Sequence, residues 1–156
     1  MVMKEYVLIS ACLIGENCRY DGKNSLTKAV KDLAKYYNLI PICPEVSGGL
    51  KTPRHPSEIV GDKVISIKGR DVTSNYYDGA YWATSIVRMY NIKLAIMKEK
   101  SPSCGVHKIH NGKFDGGLID GQGITTRKLE KLGVKVINED EANELLLELE
   151  VKNHVK

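Results

Sequence analysis

Long hydrophobic runs are absent from this sequence of 156 residues. The apolar stretch that begins at Tyr6 ends before Gly15, whereas a helix that crosses a bilayer needs about 20 consecutive apolar residues. No signal peptide is visible before it. We therefore expect a cytoplasmic protein without a membrane-spanning segment.

A block of basic residues is also missing. The 23 basic and 19 acidic residues give a net charge of +4 that is spread along the chain. Dedicated nucleic-acid-binding domains concentrate Lys and Arg on one face or along one helix. The charge pattern therefore favours a small-molecule ligand, and a contact with RNA is compatible with it but not favoured.

Phe and Trp are scarce, with one of each against eight Tyr, so aliphatic side chains must form most of the core. Hydrophobic residues make up 42% of the chain and charged residues 27%, an ordinary globular composition. At this length we predict a single domain over residues 1–156, with the last few residues frayed.

Short apolar runs alternate with segments of helical periodicity, which predicts an α/β fold of Rossmann-like, three-layer type with a mainly parallel sheet. Pro41 lies in the second run and indicates either the end of a strand or an edge strand. Between the runs, residues 46–60 read as a long loop, and Asn111-Gly112 is typical of a hairpin turn. The predicted main strands are 6–11, 39–43, 93–97 and 134–138, and the predicted helices are 24–38, 71–91, 123–133 and 139–153.

Three of these strands end alike, each leading to a cysteine and then a glycine-containing turn. Cys12, Cys43 and Cys104 follow the first, second and third runs, and Cys18 lies six residues beyond Cys12. Because ligands of open α/β sheets bind at the carboxyl ends of the strands, we expect these three thiols to meet at one edge. Closely paired zinc-type cysteines and ferredoxin spacings are absent. A metal or cluster site, a lone catalytic thiol and inert buried cysteines all remain open on spacing alone.

Six segments together resemble the motifs of the thiouracil (or thiouridine) desulfidases, a family formerly known only as a domain of unknown function. The resemblance covers the chain from about Tyr6 to Ala142. The segments are, in order, ISACLIGENCRYDGK, CPEVSGGLKTPRHPSEI, GRDVT, AIMKEKSPSCG, NGKFDGGLIDGQGITT and LGVKVINEDE.

This resemblance implies a 4Fe–4S cluster held by only three cysteines, which here are Cys12, Cys43 and Cys104. The fourth iron would bind the sulfur of a thiolated nucleobase or nucleoside, and water would replace that sulfur without net redox chemistry. The family's catalytic pair corresponds here to Glu45 and Ser101. A carboxylate is suited to take a proton from the attacking water.

Further residues are candidates for binding the substrate. Tyr20 is suited to stack on a pyrimidine ring, and Arg54 to bind an anionic group. Gly48 and Gly49 either let the backbone approach the ligand closely or serve as turn residues. The four histidines lack metal-ligand spacing, and we expect them at the surface.

The role of Cys18 distinguishes the alternative functions of this chain. We expect that Cys18 is not a ligand. With Cys18 as fourth ligand, the site would be closed, with a structural or partner-binding role. A tRNA-acting thiolation or desulfuration factor would share the cluster chemistry but bind RNA in a salt-dependent manner. A hydrolase built on Cys104 alone would need no metal.

Overall fold

The computed structural model describes residues 3–155 and consists of a central sheet, flanking helices and two small hairpins. In chain order the elements are β1 (Tyr6–Ser10), a 3-10 turn (Ala11–Ile14), α1 (Lys28–Asp32) with a following 3-10 turn (Leu33–Lys35), β2 (Asn38–Ile42), α2 (Pro44–Ser47), β3 (Ser57–Val60), β4 (Lys63–Ser66), α3 (Thr73–Tyr90), β5 (Leu94–Ile96), β6 (Lys108–His110), β7 (Leu118–Asp120), α4 (Ile124–Lys131), β8 (Lys135–Ile137) and α5 (Glu139–Val155).

The central sheet has the order β2-β1-β5-β8, and all its neighbouring strands are parallel. Side chains of a strand alternate between its two faces. In β1, Leu8 packs in a core cluster with residues of α3 and α4, whereas Val7 and Ile9 pack with residues of α1 and α5. Helices therefore cover both faces, and the predicted α/β fold with a mainly parallel sheet is confirmed.

The order in which the strands are added to the sheet reverses after β2, so that β1 and β5 lie at the switch point. From β1 the chain moves outward to β2, and it then returns to place β5 on the other side of β1. Such a reversal leaves a crevice at the carboxyl ends of the two strands, where ligands of this fold type bind. Pro41 lies in β2 at the sheet edge, as predicted, since β2 pairs with β1 alone.

Two local predictions are corrected. The loop predicted over 46–60 contains β3, which pairs antiparallel with β4 through a turn at Gly61, where φ is +64°. The predicted helix 24–38 begins only at Lys28, because Asn24 Oδ1 accepts a hydrogen bond from the backbone N–H of Leu26 and holds residues 24–26 in a turn. The asparagine thus acts in the preceding turn and not as the helix cap.

The hairpin predicted at Asn111-Gly112 exists as β6 and β7, although residues 111–117 form a longer connection than a two-residue turn. The last helix, α5, extends to Val155, and Lys156 lies outside the described residues. None of the described helices has the length and apolar character that a bilayer crossing requires.

Candidate active site

A cavity of about 460 Å³ opens at the carboxyl ends of β1, β2 and β5. This volume is in the range of small-molecule sites. Cys12, Cys43 and Cys104 all line it, as predicted from the strand ends, and so does Cys18. Each of the four is a free thiol.

Local structure explains how each strand presents its cysteine. Cys12 lies in the 3-10 turn directly after β1 and is buried. Cys43 is the residue that precedes α2, a short helix that Pro44 begins after β2. Cys104 is buried in the turn that follows β5. Cys18 instead lies in the loop between the 3-10 turn and α1, and it is half-buried.

The N-terminal end of α4 packs closely against the turn that carries Cys104 and holds it in place. A Cβ atom at Gly123 would lie 2.3 Å from the carbonyl carbon of Ser103, so only glycine allows this approach. Thr126 Oγ1 donates a hydrogen bond to the carbonyl of Cys104 at 2.9 Å. The Ser103 and Thr125 hydroxyl groups are 2.8 Å apart in the buried interior. These contacts fix the backbone from which the Cys104 thiol faces the cavity.

Ser101 organises the same turn from the cavity side. Its Oγ accepts hydrogen bonds from the backbone N–H groups of Ser103 (3.1 Å) and Cys104 (3.0 Å). A serine hydroxyl has two acceptor lone pairs and one proton. Because both lone pairs are engaged, Ser101 can offer the cavity only its O–H, as a hydrogen-bond donor.

Glu99 anchors the segment between β5 and β6. Its carboxylate accepts backbone N–H bonds from Val106 (2.7 Å), His107 (2.9 Å) and Lys108 (3.1 Å), and a side-chain bond from Asn138 (2.8 Å). Partial burial alone would raise the pKa of Glu99, but these hydrogen bonds lower it to about 2. The carboxylate is therefore ionised at neutral pH, and its hydrogen bonds hold the loop that carries Ser101 and Cys104.

Glu45 faces the cavity from α2 and is paired with Arg54. The Nε of Arg54 lies 3.1 Å from Glu45 Oε1, and the second arm of the guanidinium donates to the carbonyl of Cys18 at 2.8 Å. Arg54 therefore connects the Glu45 carboxylate to the loop that carries Cys18.

Tyr76 lies near the same carboxylate. Burial and the neighbouring Glu45 carboxylate raise the pKa of Tyr76 well above its ordinary value.

The pKa values of three of the thiols, Cys18, Cys43 and Cys104, are raised in the absence of a metal. Burial raises the pKa of Cys104 to about 12, and the neighbouring Cys12 thiol raises that of Cys18 to about 11. The nearby Cys18 thiol and burial raise the pKa of Cys43 as well. A nucleophilic cysteine needs the opposite shift, so these three thiols do not have the character of an activated lone nucleophile.

The cysteines that line the cavity would be the donors to the cluster that the sequence resemblance implies. Within residues 3–155, no group of three or more His, Cys, Asp or Glu side chains is spaced to hold a single metal ion. In a cluster each cysteine binds a different iron, so its ligands are spread more widely than the roughly 2.3 Å bonds of one zinc ion allow. Soft thiol donors from three strand ends around one cavity fit an iron–sulfur cluster.

The remaining predicted residues are Tyr20, Arg54, Gly48 and Gly49, of which the first two line the cavity. Tyr20 lines the cavity and is 44% exposed. Arg54 also lines it, and the anion that it binds is the protein's own Glu45. Gly48 and Gly49 do not line the cavity. A Cβ atom at Gly48 would lie 1.9 Å from the carbonyl oxygen of Asn75, so this glycine allows α2 to pack closely against α3.

The β6–β7 hairpin contributes residues that sequence reasoning missed. His110, Phe114 and Gly116 line the cavity, although the histidines were expected at the surface. Glu99 also lines the cavity, and no pattern in the sequence indicates it. The Asn-Gly signal located the hairpin, but no local pattern indicated that it lies over the ends of β1 and β5.

Known proteins are similar to this chain in sequence and in structure. Residues 7–141 match the family model of the 2-thiouracil desulfurases. A solved structure of TudS, a 4Fe–4S-dependent thiouracil desulfidase, superposes with a TM-score of 0.87 at 40% identity, covering 95% of this chain and 99% of TudS. The uncharacterized protein YbbK of Bacillus subtilis (strain 168) is 37% identical over 150 residues, which are 90% of this chain and 99% of YbbK.

Proposed function

The chain belongs to the 2-thiouracil desulfurase family, and on that premise we propose that it is a 4Fe–4S-dependent desulfidase that converts thiolated pyrimidines to the oxygen analogues. One observation carries this proposal most directly. Three cysteines from three strand ends, a carboxylate and a serine hydroxyl line one cavity at the switch point of the sheet.

In this proposal Cys12, Cys43 and Cys104 hold the cluster, and Cys18 does not. Cys12 and Cys43 directly follow β1 and β2, and Cys104 lies in a turn that close packing at Gly123 and the Thr126 hydrogen bond hold in place, whereas Cys18 lies in the loop before α1. When bound, such a cluster supplies a Lewis-acidic iron that has affinity for a soft thiocarbonyl sulfur and makes the attached carbon more electrophilic.

Glu45 is the proposed general base. Its carboxylate takes a proton from a water molecule whose oxygen attacks the thiocarbonyl carbon. The new C–O bond becomes the carbonyl of the product, the C–S bond breaks, and the sulfur leaves as hydrogen sulfide with the two protons of the water. No electron is gained or lost overall. Arg54 holds one carboxylate oxygen, which leaves the other oriented for the water.

Ser101 assists as a donor. Because its oxygen already accepts two backbone hydrogen bonds, its proton is free to bind the attacking water or a polar atom of the substrate. Tyr20 and Phe114 offer aromatic rings at the cavity for the flat pyrimidine. The small volume of the cavity and the dispersed charge favour a free base or nucleoside over RNA.

The experiment is anaerobic reconstitution with iron and sulfide, followed by incubation with 2-thiouracil. We expect uracil and sulfide in equal amounts, and incorporation of one ¹⁸O atom per uracil from labelled water. The protein without iron is the control and should form no product. A fully loaded protein that binds 2-thiouracil and releases neither product would contradict the proposal.

A closed four-cysteine site is the second candidate, because the structure brings Cys18 next to the Cys12 and Cys43 thiols. Such a site would leave no iron open to the substrate and would stabilise the fold or a partner interface. The closed site predicts that Cys18 is as necessary for iron binding as Cys104. The three-cysteine site predicts that iron binding does not need Cys18.

A further inference from the structure

One buried polar atom at the cavity has no partner in the protein. His110 Nδ1 is closed off from solvent and makes no hydrogen bond with any described residue. His110 is the last residue of β6, and its side chain lines the cavity that also contains Glu45 and Ser101. Buried polar atoms are nearly always hydrogen-bonded, and an exception in a ligand cavity points to a partner that arrives with the ligand.

The hairpin that carries His110 is held firmly in place. Glu58 is buried, and its Oε1 accepts hydrogen bonds from the backbone N–H groups of Gly112 (2.9 Å) and Phe114 (3.2 Å). His110 is itself paired with Leu118 of β7. The backbone position of the imidazole is therefore fixed before the substrate binds, as a recognition group requires.

The imidazole can present its nitrogen to a ligand without moving the backbone. A half-turn about the Cβ–Cγ bond exchanges Nδ1 with Cδ2, and the two orientations have the same shape. In the orientation seen here Nδ1 is closed off and has no partner. Rotation about the Cβ–Cγ bond moves Nδ1 out of this position, so that a polar group of a ligand in the cavity can become the partner it lacks.

We propose that His110 is a specificity-determining residue whose Nδ1 hydrogen-bonds the imide edge of the pyrimidine, meaning the ring N–H and the carbonyl beside it. This inference rests on the proposed function. An imidazole nitrogen is suited to both groups, because it accepts from the N–H in one tautomer and donates to the carbonyl in the other. Sites built to hydrogen-bond a substrate group discriminate strongly against analogues that lack it.

The test uses two near-isosteric variants, His110→Leu and His110→Asn, which differ in whether a polar atom remains near the position of Nδ1. Each is compared with wild type on 2-thiouracil and on pyrimidine-2-thione, which lacks the carbonyl and the adjacent N–H. Iron content and thermal melting are measured on every preparation. His110→Phe, which keeps a ring, replaces the Leu variant if that protein loses its cluster.

We expect His110→Leu to lower kcat/KM for 2-thiouracil at least tenfold while changing it less than twofold for pyrimidine-2-thione. His110→Asn should recover most of the loss. An equal loss on both substrates would assign His110 a purely structural role, and no loss on either would remove it from recognition; both results overturn the inference.

Binding of uracil separates this inference from the proposed function. If loaded wild-type protein does not turn over 2-thiouracil, the proposed function fails, but calorimetry with uracil still tests His110. Binding at least tenfold weaker in His110→Leu than in wild type would support the inference. Equal affinities, or no binding to either protein, would overturn it.

Discussion

Arg54 and Glu45 form an ion pair of 3.1 Å between side chains that are only 9% and 16% exposed. Such a pair differs from a surface salt bridge, because its partners are largely removed from water and the loss of one leaves the other charge poorly compensated. On α2, Glu45 lies two residues after the proposed ligand Cys43, so the pair links the proposed base to the cluster-binding elements.

Removing the guanidinium should lower the stability of the fold and also impair catalysis, because it leaves the Glu45 carboxylate without its partner. We expect Arg54→Met to lower kcat for sulfide release about tenfold, the equivalent of about 1.4 kcal/mol in the barrier, because the Glu45 carboxylate loses its fixed orientation. Iron content should remain near that of wild type. Arg88→Met changes an exposed arginine of α3 and is the matched control. Equal kcat values in both variants would show that the ion pair does not position Glu45.

Glu45→Gln tests the base itself. The amide keeps the size of the side chain but cannot accept a proton from water, so we expect kcat to fall by about 10²- to 10⁴-fold. Iron content and the affinity for uracil should change little. Glu148→Gln, on the exposed side of α5, is the control for removal of one negative charge. Turnover by Glu45→Gln at the wild-type rate would assign the proton transfer to another group.

Ser101 accepts two backbone hydrogen bonds and offers its O–H to the cavity. Two substitutions test these two roles separately. Ser101→Ala leaves the N–H groups of Ser103 and Cys104 without their acceptor, so we expect a stability loss of about 1 kcal/mol, as for a lost helix cap, and a lower kcat. Ser101→Thr keeps the hydroxyl and should retain stability in denaturant titrations. A stable but inactive Thr variant would show that the added methyl group blocks the cavity.

Glu99 makes the stability of the chain dependent on pH. Its pKa is about 2 in the folded protein, below the ordinary value of 4.5, so its hydrogen bonds stabilise the fold above pH 5, and that contribution is lost as the pH falls from about 5 to 2. We expect Glu99→Gln to cost about 2 kcal/mol at pH 7. Urea titrations of the metal-free proteins should show this difference shrinking below pH 5. A constant difference would contradict the assigned pKa.

The strand ends explain why much of the site was predictable from sequence. Cys12 and Cys43 directly follow apolar runs, Cys104 lies in the turn after a third run, and parallel strands bring their carboxyl ends to one edge whatever the chain length between them. Cys12, Cys43 and Cys104 could therefore be placed together before any coordinates. Pro41 indicated a strand end or an edge strand for an equally local reason, since its missing N–H is tolerated there.

The hairpin contacts could not be predicted in this way. His110 reaches the cavity because β6 and β7 fold over the sheet edge and Glu58, about 50 residues earlier, holds the turn. The segment around Glu58 itself read as a loop. Glu99 is a similar case, because its role depends on Asn138 at the end of another strand. Tertiary contacts of this kind leave no periodic signal in the chain.

The most direct measurement of the central claim is the iron content and 2-thiouracil turnover of Cys18→Ser and Cys104→Ser, reconstituted anaerobically beside wild type. A three-cysteine cluster with an open iron predicts that Cys18→Ser keeps about four irons per chain and forms uracil, whereas Cys104→Ser loses both. Loss of iron and of turnover in Cys18→Ser to the same extent as in Cys104→Ser would contradict the account and indicate a closed four-cysteine site.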